Sequence, residues 1–399
     1  MNSFACRAFQ CCFGAGARLL PWRTPEVYTG DGSLLRVADI LRENSLRHPF
    51  VIASRRQCAD EHFRRLQEVL DMQDILLSIF SAVEPNPSVE TVEKIAEQYR
   101  IDRCDCFLVI GGGSPMDAAK AAAALLVRPN RSLSSLAGLL KVRRRIPPFI
   151  AVPTTAGTGS ETTIAAVITG RDHRKYAVSD LCLIPRYAIL DPTLSAGLPP
   201  HITAETGMDA LTHAVEAYLS RFYNTRKTRE QAKRAVVTIF SHLERAYRDG
   251  ASLPDRAAML QASLDAGAAF TRASVGNVHA IAHTLGGLYG TAHGLANAVL
   301  LPIVLEDYGA AAYPRLARLA HLVGIQEASA EASARAFIAE IRAMNTRMGI
   351  PDHFDCIRSE DIPLMASWAC REANPVYPVP VIYDQARFAR VIERSCVKP

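Results

Sequence analysis

Between residues 26 and 198, short apolar runs alternate with amphipathic stretches, and each change of period predicts a change of element. Val27–Gly30 reads as a strand, and "GSLLRVADILREN" after it as a turn and a helix. "HPFVIAS" is an apolar strand that ends in polar residues, and "DILLSIFSAVEPNPS" is a strand-like run stopped by a Pro-Asn-Pro turn. "SVETVEKIAEQYR" has helical spacing with Ser88 placed to cap its N-terminus. "CDCFLVIGGGSPMDAAKAAAALL" predicts a buried strand, a glycine turn and an alanine-rich helix opening near Pro115, and "PFIAVPTTAGTGSETT" a second strand running into a small-residue loop. Strand-helix alternation of this kind predicts a mostly parallel sheet covered on both faces. Past Leu198-Pro199-Pro200 the strand signals stop, and helical periodicity and alanine dominate from "ITAETGMDALTHAVEAYLS" to "QARFARVIERS". The expected organisation is an α/β domain over 25–198, a helical domain over 199–399, and a separate N-terminal segment, 1–24.

That segment, "MNSFACRAFQCCFGAGARLLPWRTPE" with its two flanking residues, carries arginine and no acid before Glu26, a bias shared with organelle-targeting peptides. The spacing of Phe4, Phe9, Phe13 and Leu19-Leu20 favours instead a short helix docked on the body by an apolar stripe. Over the whole chain of 399 residues, 49% of them hydrophobic, 45 basic side chains are scattered among 40 acidic ones. The net charge of +5 therefore gives no basic face for nucleic acid, and the run Lys141-Val142-Arg143-Arg144-Arg145 reads as a solvated loop. Ten cysteines without framework spacing predict reduced thiols and a cytoplasmic setting, and no apolar stretch has the length of a membrane span.

Two loops carry candidate binding chemistry. Gly111-Gly112-Gly113-Ser114 joins an apolar strand to a helix, where glycines admit a phosphate close to the backbone and free N–H groups favour its charge. It is not the G-x-G-x-x-G fingerprint, so alone it supports only an anion site. Thr154-Thr155-Ala156-Gly157-Thr158-Gly159-Ser160 follows the next strand, and two such strand ends side by side suit a dinucleotide.

A histidine cluster raises a different chemistry. His279, His283 and His293 fall within fifteen residues of a chain that holds only 11 histidines, and His279 and His283 are one helical turn apart. Asp209 and His213 repeat that spacing in "GMDALTHAVEAY". One carboxylate and two or three imidazoles from two helices make a first shell for a divalent transition metal; spacing alone leaves open which of His279 and His283 coordinates.

At these residues the chain resembles the iron-containing, or group III, alcohol dehydrogenases. The shared text runs through "YTGDGSL", "PNPS", "GGGSPMDAAK", "VPTTAGTGSETT", Ile184–Pro192, "GMDALTHAVEAY", "HAIAHTLGGLYGTAHGLANAVLLP" and "ANP". The resemblance implies a Rossmann-like dinucleotide domain and an all-α metal-binding domain, the dehydroquinate synthase-like architecture, with the active site in the cleft between them. It implies that Asp209, His213, His279 and His293 hold Fe(2+), with Zn(2+) an alternative, and that His283 stands beside the metal for proton transfer. It also implies coenzyme contacts from Asn86, Gly112, Gly113, Ser114, Asp117, Thr154, Thr155, Thr158 and Lys175.

The implied reaction is hydride transfer between a nicotinamide coenzyme and a small alcohol or aldehyde in a homodimeric enzyme. A transient NAD-using lyase of the dehydroquinate synthase type and a non-redox metal hydrolase are the alternatives. Many family members end the strand "FVIAS" in aspartate, which repels a 2′-phosphate; Ser54 followed by Arg55 and Arg56 removes that repulsion and favours NADP(H) over NAD(H).

Overall fold

The computed structural model describes residues 3–171 and 175–396. It divides into two compact units, one of residues 21–198 with 251–264, the other of residues 1–20, 199–250 and 265–399. In chain order the strands are β1 (Glu26–Thr29), β2 (Pro49–Ala53), β3 (Ser78–Phe80), β4 (Cys106–Gly111), β5 (Gly138–Leu139), β6 (Phe149–Pro153), β7 (Ala165–Thr169), β8 (Lys175–Ser179) and β9 (Tyr187–Leu190). The helices are α1 (Ser3–Ala17), α2 (Arg36–Glu43), α3 (Arg55–Cys58), α4 (Glu61–Asp71), α5 (Val89–Ile101), α6 (Gly113–Val127), α7 (Pro200–Leu219), α8 (Arg226–Arg248), α9 (Leu253–Ala273) and α10 (Asn277–Leu288). They continue with α11 (His293–Tyr308), α12 (Tyr313–Leu322), α13 (Ala330–Arg347), α14 (Ile362–Ala373) and α15 (Gln385–Arg394). No helix among the described residues is long and apolar enough to cross a membrane.

Six strands of the first unit form one parallel sheet in the order β1-β9-β6-β4-β2-β3. Every residue of β2, β4 and β6 is buried, the burial required of strands covered on both faces. Alternate residues serve opposite cores. Phe50, Phe107 and Val109 pack with α5 and α6, while Val51, Leu108 and Ile110 pack with α2 and α4. Ser88 caps α5 by accepting from the Thr91 N–H, as its sequence predicts. The chain passes from β2 outward to β3 and then back across β2 to β4, so the sheet has its switch point between β2 and β4. Open parallel sheets bind ligands beyond the strand ends at such a point.

Three local features depart from the sequence expectations. Helix α6 starts at Gly113, two residues before Pro115. The run "DILLSIFSAVEPNPS" contributes only the three residues of β3. Between β6 and β9 the described residues form no α-helix, only short 3-10 turns at Ser160–Thr162 and Leu181–Leu183; they make the antiparallel pair β7-β8, which β5 extends into a three-stranded sheet. This small sheet is held by side chains from α6: the Val167 N–H donates to Asp117 Oδ2, and Lys120 Nζ lies 3.2 Å from the Ala165 carbonyl. Tertiary contacts, absent from local periodicity, create it.

The second unit is helical. α7 is buried along most of its length and packs against α8 and α11. Close approach depends on small residues: a Cβ at Gly207 would lie 2.2 Å from a Leu243 methyl, and one at Gly294 would lie 2.4 Å from the Glu205 carbonyl oxygen. The N-terminal segment does form a docked helix, but the apolar stripe is not its docking face. Phe4 and Leu19 are exposed, Phe9 is partly so, and the buried positions are Cys6, Gln10, Gly14 and Ala17. Small residues let α1 lie close, since a Cβ at Gly14 would sit 2.9 Å from the Phe222 carbonyl oxygen. Of the expected stripe, Phe13 finds an aromatic partner in the body, Tyr223, with ring centroids 5.2 Å apart.

Because the obstacle facing Gly294 is backbone, Gly294→Ala forces α11 away from α7 at a cost of about 1–3 kcal/mol. Circular dichroism is expected to show earlier thermal unfolding of this variant; an unchanged midpoint would contradict the packing described.

Candidate active site

Three helices bring four ligand-type side chains to one point. Asp209 and His213 share a face of α7, His279 lies in the first turn of α10, and His293 opens α11. One donor atom from each lies within 4.8 Å of all the others. Asp209 Oδ1 is 3.8, 3.9 and 3.6 Å from nitrogens of His213, His279 and His293, and the Nε2 atoms of His213 and His279 are 2.9 Å apart. Ligands about 2.1 Å from one tetrahedral ion stand roughly 3.4 Å from each other, so small adjustments close this shell. Three imidazoles and one carboxylate suit Fe(II) or Zn(II). His283 is not one of the four: its ring stacks on His293 with centroids 5.3 Å apart, beside the cluster.

The surroundings prepare His279 to be a ligand. Its Nδ1 faces Glu216 Oε2 at 2.6 Å, so Nδ1 holds the proton and Nε2 presents a lone pair to the cluster. Glu216 follows Asp209 and His213 on the same face of α7 and accepts the N–H groups of Gly276 and Val278, pinning the start of α10 to α7. Burial pushes its carboxyl up, while the N–H groups of Gly276 and Val278, one on each oxygen, pull the other way and favour the ionised form that accepts from Nδ1. Burial, reinforced by the neighbouring imidazoles, holds His279 well below the usual histidine range and therefore neutral. Gly276 is needed for the approach, because a Cβ there would lie 2.7 Å from Glu216 Oε1. Phe270 stacks on His213 at 4.1 Å, and the Asn297 amide donates to Asp209 Oδ1 at 2.7 Å. Glu216 and Asn297 escaped the sequence reading. Their signal was helical spacing, Asp209-His213-Glu216 on α7 and His293-Asn297 on α11.

In the α/β unit the expected coenzyme residues gather at the switch point. The two loops touch: a Cβ on Gly112 would meet Thr155 Oγ1 at 3.0 Å, and one on Gly113 would meet Thr158 Cγ2 at 2.8 Å. Asn86, in the left-handed conformation at φ 58°, donates its N–H to Ser114 Oγ and accepts from Lys175 Nζ at 2.7 Å. Thr154 is reached by Gln57 Nε2, whose backbone N–H is capped by Ser54 in a capping box. Arg55 and Arg56 are exposed beside it. Asp117 accepts from Ser160 Oγ and Val167 N–H, so it braces the hydroxyl loop; burial raises its carboxyl to about 6. Lys120, unnoticed in the sequence, is fully buried among oxygens of Ser160, Thr163 and Ala165 and ties that loop to α6.

The family description "Iron-containing alcohol dehydrogenase" matches residues 24–192, and "Fe-containing alcohol dehydrogenase family, C-terminal" matches residues 203–394. The chain belongs to this family. It is 40% identical to 1,3-propanediol dehydrogenase of Klebsiella pneumoniae over 306 residues, covering 75% of this chain and 78% of that protein. It is 36% identical to NAD-dependent methanol dehydrogenase of Bacillus methanolicus over 308 residues, 75% of this chain and 80% of the relative. The solved structure of a 1,3-propanediol oxidoreductase superposes with a TM-score of 0.89 at 33% identity, covering 94% of this chain and all of that one. The iron-containing alcohol dehydrogenase fold is thus present, and the chain is an oxidoreductase; the lyase and hydrolase alternatives fall away.

Since Glu216 fixes the lone pair of His279, Glu216→Gln is expected to weaken metal affinity roughly 10- to 100-fold. Competition against a chromogenic chelator measures this, and affinity equal to the parent's would remove Glu216 from the site.

Proposed function

We propose that this chain interconverts a small alcohol and its aldehyde with a nicotinamide coenzyme, using Fe(2+) held by Asp209, His213, His279 and His293. The observation that carries the reading is the convergence of one carboxylate and three imidazoles on a common point within a chain of this family. A bound divalent ion supplies Lewis acidity to an alcohol or carbonyl oxygen, and a bound nicotinamide accepts or returns the hydride. Zn(2+) satisfies the same donors.

The chain's own groups do the remaining work. Glycines 112 and 113 let the backbone approach the coenzyme phosphates, with the N-terminus of α6 favouring their charge. Asn86, Ser114 and Lys175 form one hydrogen-bonded cluster that would orient it, beside Thr154, Thr155 and Thr158. His283 keeps Nδ1 against Glu372, so its Nε2 takes the hydroxyl proton during oxidation and gives it back during reduction. Arg55 and Arg56 at the end of β2 support NADP(H) as the preferred coenzyme, since neither forms an ion pair among the described residues and no acid stands at position 54. A homodimer in a reducing, cytoplasmic setting completes the proposal. Ten unpaired cysteines support the reducing setting, and the family resemblance the dimer.

Incubation of the Fe(2+)-loaded protein with short aldehydes and NADPH is expected to consume reduced coenzyme continuously; none consumed with any aldehyde or alcohol, in either direction, would refute the activity. His283→Ala should lower kcat roughly 10²- to 10⁴-fold while metal content stays at the parent's level. For the coenzyme preference, replacing Arg55 and Arg56 by alanine removes charge-assisted bonds worth about 1.5–3 kcal/mol each. The KM for NADPH should then rise roughly tenfold or more with that for NADH little changed, and equal effects on both coenzymes would argue against a 2′-phosphate contact.

A further inference from the structure

The family match begins at residue 24, so α1 lies outside it, yet α1 is bound into the helical unit by a set of specific polar contacts. Arg7 donates from Nη1 to the Val379 carbonyl at 2.7 Å and from Nη2 to the Pro380 carbonyl at 2.9 Å. Gln10, wholly buried, donates from Nε2 to the carbonyls of Pro375 and Tyr377 at 3.0 and 2.7 Å. Both side chains therefore serve one segment, residues 375–380, which follows α14. The Tyr223 hydroxyl and the Arg221 N–H hold the same segment from another side through the carbonyls of Val376 and Pro378.

That segment carries Tyr377, whose hydroxyl donates to Glu372 Oε1 at 2.7 Å. The same oxygen lies 2.6 Å from His283 Nδ1. Burial, with Glu372 close by, keeps the Tyr377 phenol well above its ordinary range, so it remains a proton donor in this bond. An imidazole N–H and a phenol O–H thus point at one carboxylate oxygen, which sets the ring plane of His283 and leaves the proton on Nδ1. Free rotation or the opposite tautomer would take the Nε2 lone pair away from its task.

We propose that Glu372 is the positioning residue of His283, and that α1, through Arg7 and Gln10, holds the Tyr377 segment that keeps Glu372 in place. The inference rests on the proton-transfer reading of His283. It gives the N-terminal helix a part in turnover, transmitted through two hydrogen-bonded steps. It also explains why α1 buries Gln10 while leaving Phe4 and Leu19 in solvent: the helix is fixed by directional bonds to backbone carbonyls that an apolar stripe could not make.

The test uses the full chain loaded with Zn(2+) or Fe(2+). Glu372→Ala should lower kcat roughly 10- to 100-fold with KM within about twofold and metal content unchanged, and Glu372→Gln, whose amide oxygen still accepts from Nδ1, should recover part of the loss. In the Zn(2+) protein, imidazole ¹⁵N spectra should show one His283 tautomer in the parent and two in Glu372→Ala. The double variant Arg7→Ala/Gln10→Ala should lower kcat roughly two- to thirtyfold, and this loss should vanish when Glu372→Ala is already present. Should that double variant fail to fold, Tyr377→Phe, which deletes a single hydroxyl, carries the same comparison. A slow His283→Ala enzyme beside a fast Glu372→Ala enzyme overturns this proposal alone. Losses that add in the combined variant overturn the link to α1. A His283→Ala enzyme as fast as the parent overturns the proton-transfer reading itself.

Discussion

Four side chains of the helical unit aim acceptor atoms at a single buried point, and much of that unit is arranged so that they can. Acceptor atoms crowded this closely repel one another, and the fold has to hold them together against that repulsion. A cation shared by Asp209, His213, His279 and His293, as proposed, would turn that cost into binding energy. Holding the four in place requires α7, α10 and α11 to approach one another closely. Gly276 and Gly294 permit this, and Glu216 fastens the start of α10 to α7 with two backbone bonds. The four-ligand cluster and the helix packing are one construction.

The α/β unit solves a different problem with the same economy of small residues. Its sheet buries β2, β4 and β6 completely and releases their C-terminal ends at the point where strand order reverses. There a Cβ on Gly112 or Gly113 of one loop would collide with Thr155 or Thr158 of the next. Lys120 anchors the hydroxyl loop from beneath, and Asp117 ties the β7-β8 hairpin to α6. The proposed reaction asks for a nicotinamide binder and a Lewis acid site, and the residues proposed for each stand on units built on different principles.

How much of this was legible depended on whether a feature was local. The parallel strands announced themselves because two-faced burial makes an unbroken apolar run, as in Phe107–Ile110 and Phe149–Val152. Ser88 was readable because a cap needs only its own turn. Asp209 and His213 stood out by their helical spacing. The choice between His279 and His283 did not, since both sit one turn apart and only the position of α7 separates them. The β7-β8 hairpin was hidden because α6 side chains stabilise it. The docking face of α1 was misjudged for a similar reason: its partners are carbonyls of residues 375–380, distant in the chain, so Gln10 outweighs Phe4 and Phe9. Glu372 sat unremarked beside the recognisable "ANP" because its partner, His283, lies 89 residues earlier.

X-ray absorption at the metal edge of the Fe(2+)-loaded protein tests the central claim most directly. The account predicts one ion per chain in a shell of oxygen and nitrogen at about 2.0–2.2 Å, with the outer-shell scattering of three imidazole rings. A shell containing sulfur, or one lacking the imidazole signature, would contradict it.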